Sequence, residues 1–164
     1  MKKAYFSGGC FWCIAPIFKV DGVASVTSGY CGGSTLNPTY EEVKSQMTDH
    51  RESIKIEYDE QKITYATLLD IFFTNVDPFD EEGQFIDRGH SYTLAVYYTS
   101  LEEKRLALAY IKRIQEQSQK EIYVTVEKFN KFYDAEEYHQ DYYLKHPKEY
   151  EEELIKSGRK KGIQ

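Results

Sequence analysis

The chain has 164 residues, 21 Lys and Arg against 27 Asp and Glu, a net charge of -6, four prolines and ten glycines. This is the balance of one globular domain large enough to fold without disulfide staples, which excludes disordered and fibrous chains. The acidic surplus speaks against sequence-independent binding to nucleic acid or anionic lipid, and no apolar run approaches the roughly 20 residues of a bilayer span, so a cytoplasmic protein is expected.

In chain order, residues 3–7 form a short β-prone run that stops at Gly8 and Gly9. Phe11, Ile14, Ile17 and Phe18 recur at helical spacing over 10–20, with Pro16 limiting or kinking the helix. Residues 23–30 alternate as a strand and run into the glycine-rich turn Gly29-Tyr30-Cys31-Gly32-Gly33. Turn chemistry at Asn37-Pro38-Thr39 leads into a short helical piece over 40–44. Ile54, Ile56 and Tyr58 mark a strand over 53–58 with one buried face, and 64–75 is a helix with Thr64 as N-cap. Residues 76–91 read as a long polar loop of the functional kind. A strand over 92–98 follows, then a helix capped by Ser100 and running to about Gln117, an alternating stretch over 122–126, and a charged helical remainder from Ala135. Strands separated by helices, without hairpin signals, indicate a single α+β domain over 1–164 with a mixed sheet flanked by helices and a short exposed basic tail at about 157–164.

Three cysteines in a reducing compartment point to catalysis, redox chemistry or metal binding rather than to structural bridges. Cys10 falls where a strand ends and a helix begins, so unpaired backbone N–H groups and the helix dipole should favour its thiolate. Cys13 lies one turn later on the same face, within reach of a disulfide. The bland alternative is a pair of small buried hydrophobes. Zinc ligation is disfavoured, because there is no second Cys pair and His50, His90, His139 and His146 are far apart, so no metal is expected. Phe11 and Trp12 would ordinarily be core, yet beside an activated thiol they can wall an apolar pocket. Glu52 and Asp87, near strand starts, are the candidate acids, against the ordinary reading of both as solvated carboxylates.

Together these residues resemble the peptide methionine sulfoxide reductase A family, which reduces the S epimer of methionine sulfoxide. The resemblance runs through Gly9-Cys10-Phe11-Trp12, Gly29-Tyr30-Cys31-Gly32-Gly33, the 37–43 block Asn-Pro-Thr-Tyr-Glu-Glu-Val, His50-Arg51-Glu52, the 83–89 block Gly-Gln-Phe-Ile-Asp-Arg-Gly, and the 132–142 block from Phe132 to Tyr142. It implies a two-layer α/β roll, with Cys10 as nucleophile, Phe11 and Trp12 holding the substrate methyl group, and Glu52 as proton donor. It further implies Tyr40 and Tyr92 as donors to the sulfoxide oxygen and Asp87 as a carboxylate of the pocket. The implied substrate is methionine sulfoxide in oxidised proteins, with no bound cofactor, thioredoxin or another dithiol as external reductant, and a monomeric enzyme.

The chain departs from the family pattern in lacking any cysteine beyond Cys31. The resolving thiol is therefore Cys13, favoured because its spacing from Cys10 is local, or alternatively Cys31, or else it comes from outside the chain. Ala15 stands where the family often has Glu, Arg51 where it has Ala, and Thr93 and Leu94 where it has Arg and Ser. His139 is open between a place in the pocket floor and a helix surface, whereas His90, His146 and the cluster Lys156, Arg159, Lys160 and Lys161 read as solvated. Two other functions compete: a thiol-disulfide oxidoreductase using Cys10 and Cys13, and a silent module that binds oxidised methionine.

Overall fold

The structure is a computed structural model and describes residues 1–159. Alternating side chains fold into strands β1 (Lys2–Gly8), β2 (Val23–Cys31), β3 (Arg51–Tyr58), β6 (Leu94–Tyr98), β7 (Val124–Lys128) and β8 (Phe132–Asp134). They make one six-stranded sheet in the order β7-β6-β1-β3-β2-β8. All pairings are antiparallel except β6 with β7, which is parallel and bridged by helix α4 (Leu101–Glu116), so the sheet is mixed.

The period of two decides which residues meet the helices. Ala4, Phe6, Ile54, Ile56, Tyr58, Leu94 and Val96 point to one face, where they pack with Leu68, Leu69 and Phe72 of α3 (Tyr65–Thr74) and Ala107 of α4. Tyr5, Cys31, Ala95 and Tyr97 point to the other, against Phe129 and Phe132. Thr64 and Ser100 cap α3 and α4 by accepting from the backbone N–H three residues on, as the sequence suggests. Thr39 caps α2 (Tyr40–Lys44) in a reciprocal box with Glu42.

Several elements differ from the sequence reading. The helical spacing after Cys10 yields only α1 (Phe11–Ile14) before Pro16 tightens the chain into a 3-10 turn, Ala15–Phe18. The strand at Glu52 begins two residues earlier than expected, at Arg51. The long loop contains a two-stranded hairpin, β4 (Gly83–Gln84) with β5 (Asp87–Arg88), and a 3-10 turn, His90–Tyr92, so Tyr92 precedes its strand rather than starting it. The remainder from Ala135 is broken into a 3-10 turn, Glu137–His139, then α5 (Tyr142–Lys145) and α6 (Pro147–Ser157), with Asp141 in the left-handed region at φ 51°. Ser157 is buried and Arg159 half-buried against the fold, so the tail is not solvated there; Lys160 and Lys161 lie outside the described residues.

Candidate active site

β1 delivers the chain to a tight turn in which Gly9 takes φ +90°, a region that favours glycine. A Cβ at Gly9 would lie 2.7 Å from Arg159 Nη2 and 2.9 Å from Gln84 Cβ. Gly9→Ala should therefore cost about 1–3 kcal/mol through combined strain and crowding. Urea denaturation of the variant reads this directly, and unchanged stability would mean the turn is more plastic than its geometry indicates.

Cys10 occupies the N-cap of α1, its carbonyl accepting from the Cys13 and Ile14 N–H groups at 3.1 and 3.2 Å. Because Glu52 shares the parity of Ile54 and Ile56 on β3, its side chain points into the helical layer, and Oε1 accepts from Phe11 N–H at 3.1 Å. Glu52 is 1% exposed. Burial pushes its carboxyl up to about 8, opposed by the Phe11 N–H and the Tyr92 hydroxyl and reinforced by the nearby charge of Asp87. Tyr40 and Tyr92 face Glu52 and Cys10, and burial raises both phenols, so they stay protonated donors. Asp87, on the hairpin, lies within electrostatic reach of Cys10 and Glu52; burial and the charge of Glu153 raise it, and its Oδ2 is buried with no hydrogen-bond partner among the described residues.

The aromatic walls are locked by residues from late in the chain. Trp12 Nε1 donates to His139 Nδ1 at 2.9 Å, and the indole stacks on Tyr142 with ring centres 4.1 Å apart. His139 is a buried part of the wall, not a helix-surface residue, and burial lowers it to about 4, so it stays a neutral acceptor. Tyr40 is set by Glu136, whose Oε2 accepts from the Tyr40 N–H at 3.0 Å while Oε1 accepts from the Tyr30 hydroxyl at 2.8 Å. Gln140 pins this segment to β2: its Oε1 accepts from Ser28 N–H and its Nε2 donates to Ser28 O, both at 2.9 Å.

A family model described as peptide methionine sulfoxide reductase matches residues 2–164. The chain belongs to that family. It is thereby an oxidoreductase of the peptide methionine sulfoxide reductase class. It is 43% identical to the peptide methionine sulfoxide reductase MsrA of Bacillus licheniformis, over 99% of this chain and 92% of the relative. Among solved structures, reduced Mxr1 of Saccharomyces cerevisiae matches with a TM-score of 0.83 at 30% identity, over 90% of this chain and 86% of that one. The same yeast protein in complex with Trx2 matches with a TM-score of 0.57 at 22% identity, over 83% and 81% of the two chains, a likeness of fold.

In this reductase Cys10, Phe11, Trp12, Tyr40, Glu52, Asp87 and Tyr92 all converge, and Cys31 does not. Tyr30 points to the Phe11 side of β2, so its neighbour Cys31 points to the opposite face, beside Tyr97, where burial pushes it up to about 12. Cys13 and Cys10 share a side-chain hydrogen bond. The bond to Cys13, burial, and the charges of Glu52 and Asp87 all push Cys10 up, whereas the bond from Cys10 and the charge of Arg159 bring Cys13 down. Two departures from the family pattern meet on the far side of the sheet, where Arg51 Nε donates to Thr93 Oγ1 at 2.8 Å and Arg51 Nη1 pairs with Glu127 at 2.7 Å. The Arg51 guanidinium is carried by β3, one residue before Glu52 and so on the opposite face of the sheet. It points away from Asp87's pocket.

Sequence reasoning missed Glu136, Gln140 and Arg159. Glu136 and Gln140 sit in a block that the family resemblance already flagged; only their partners, about a hundred residues upstream, reveal what they do. No helix among the described residues is long and apolar enough to cross a membrane.

Proposed function

We propose that the whole chain acts as one cytoplasmic catalytic domain that reduces the S epimer of methionine sulfoxide in oxidised proteins. Cys10 is the nucleophile and Glu52 the acid. The observation that carries this is a fully buried carboxylic acid, neutral at physiological pH, packed with two phenols beside a thiol. Sulfoxide sulfur accepts a nucleophile only once its oxygen is protonated or strongly hydrogen-bonded, and that is what a neutral acid with phenolic donors provides. Phe11 and Trp12 hold the methyl group. Glu52 gives its proton to the oxygen as Cys10 attacks, and the thiol proton restores the carboxyl. The S–O bond to the methionine sulfur breaks as the oxygen passes to the Cys10 sulfur, so that methionine leaves and Cys10 is left as a sulfenic acid.

Cys13 then condenses with that sulfenic acid, and a dithiol such as thioredoxin reopens the disulfide by exchange. Support for Cys13 over Cys31 is its bond to Cys10 and the placement of Cys31 across the sheet. Support for thioredoxin is the Trx2 complex of the yeast relative. One turnover without reductant, followed by peptide mass mapping, should show a Cys10 to Cys13 linkage; a Cys10 to Cys31 linkage would reverse the assignment. In a racemic sulfoxide incubated with enzyme and dithiothreitol, only the S epimer should disappear on chiral chromatography, and loss of the R epimer would remove the stereochemical reading.

A further inference from the structure

On the side of α1 away from the aromatic walls lies a cavity of about 430 Å³ whose lining includes Cys13, Asn75, Phe85, Tyr150, Leu154 and Arg159. None of Cys10, Glu52, Tyr40 or Tyr92 borders it. Arg159 reaches it from beyond the end of α6. Its Nη2 donates to Gly8 O at 2.9 Å and its Nη1 to Asn75 O at 3.3 Å, while the guanidinium lies over the Phe85 ring, 4.8 Å from its centre. Nε is buried with no hydrogen-bond partner among the described residues.

We propose that Arg159 is a positioning residue for the second half of the cycle: its guanidinium bonds the carbonyl of Gly8 beside the Cys10 turn, shares a cavity wall with Cys13, and sets its positive charge on the side of the sulfur that condenses with oxidised Cys10. This rests on the reading of Cys13 as the resolving thiol. In the step itself, the Cys13 thiolate attacks the sulfenic sulfur of Cys10. The S–S bond forms, the S–O bond breaks, and the departing hydroxide takes a proton to leave as water. The oxidising equivalent is the one already delivered by the sulfoxide, so no further oxidant is needed.

The charges around Cys13 leave this work to Arg159. Cys10 and Glu52 face Cys13 from the catalytic side, Asp87 from the hairpin, and Tyr150 and Glu153 from α6. Every one of these is neutral or negative. Among the described residues Arg159 is the cation of the set, and its charge favours the Cys13 thiolate. Guanidinium suits the task because its fork bonds two carbonyls and keeps its charge at any working pH.

The test separates the two half-reactions. Wild type and the variants Arg159→Lys, Arg159→Gln and Arg159→Ala are mixed with methionine sulfoxide and no reductant. Released methionine is timed, and disulfide formation is followed by fluorescence of Trp12, the single tryptophan, which stands between the two cysteines. The methionine burst should fall less than condensation in every variant, and relative to the burst condensation should slow about tenfold or more in the Gln and Ala variants. Lys should recover most of the rate, and dimedone should trap sulfenic acid on Cys10 in the Gln and Ala variants. The pH midpoint of condensation should rise in those two. Condensation at the wild-type rate in Arg159→Gln, or a methionine burst that falls in parallel with it, would overturn the proposal. Absence of any Cys10 to Cys13 disulfide in the wild type would instead remove the reading on which it rests.

Discussion

Cys10→Ser should release no methionine from methionine sulfoxide above the level of a reaction without enzyme. The substitution is close to isosteric and 93% of the residue's surface is already covered, since Cys10 is 7% exposed, so the fold and the walls at Phe11, Trp12 and Tyr40 should persist. What disappears is the chemistry: a serine hydroxyl stays protonated far above working pH, and its oxygen can neither attack the sulfoxide sulfur as a thiol does nor carry the transferred oxygen as a sulfenic acid. The variant should still bind a peptide containing the sulfoxide, read by Trp12 fluorescence. This combination also separates the competing functions. A thiol-disulfide oxidoreductase would reduce insulin without any sulfoxide, and a silent binder would release no methionine even as wild type. Retained turnover in Cys10→Ser would remove the mechanism altogether.

Glu52→Gln should lower the rate of methionine release by about 10²-fold or more, the scale expected for loss of a general acid. The amide keeps an oxygen to accept from Phe11 N–H, so α1 stays in place while the transferable proton is lost. In the wild type the activity should fall as pH rises through about 8, where the buried carboxyl ionises, and that limb should be absent in the variant. Wild-type stability should also fall as pH rises. A carboxyl raised above its usual value of 4.5 to about 8 keeps its proton in the fold while the unfolded chain has lost it. The folded state therefore binds more protons than the unfolded state between those limits. Stability present below the lower limit is lost as pH rises through the window. Gln has no charge to bury, so Glu52→Gln should melt higher than wild type at pH 8 to 9 and differ little near pH 4. Equal melting of the two proteins across that range would mean Glu52 is not the neutral, desolvated acid that the reaction requires.

Local chemistry made much of this legible in the sequence. Thr64 and Ser100 announce their helices because a hydroxyl at the N-cap satisfies a backbone donor within three residues. The alternation of Ile54, Ile56 and Tyr58 gives the buried face of β3, and extending it back by one step puts Glu52 on the same face as Phe11. Sequence alone did not reveal the features that depend on distant partners. Strand β8 is three residues of Phe132, Tyr133 and Asp134, too short for a pattern and fixed only by pairing with Gly29, Tyr30 and Cys31. The hairpin strands are two residues each, below the length at which alternation means anything. The choice between Cys13 and Cys31 turns on which face of β2 carries α1, a fact of packing. Arg159 looked like a solvated terminus because nothing nearby in the chain shows that a carbonyl 151 residues upstream awaits it.

The clasp formed by the amide of Gln140 on Ser28 spans 112 residues, and the indole bond from Trp12 to His139 spans 127. Such closures form slowly, since the intervening polypeptide must first be organised. A chain cut before His139 would lack both closures, leaving Cys10, Trp12 and Tyr40 without the wall that His139 and its neighbours build against them.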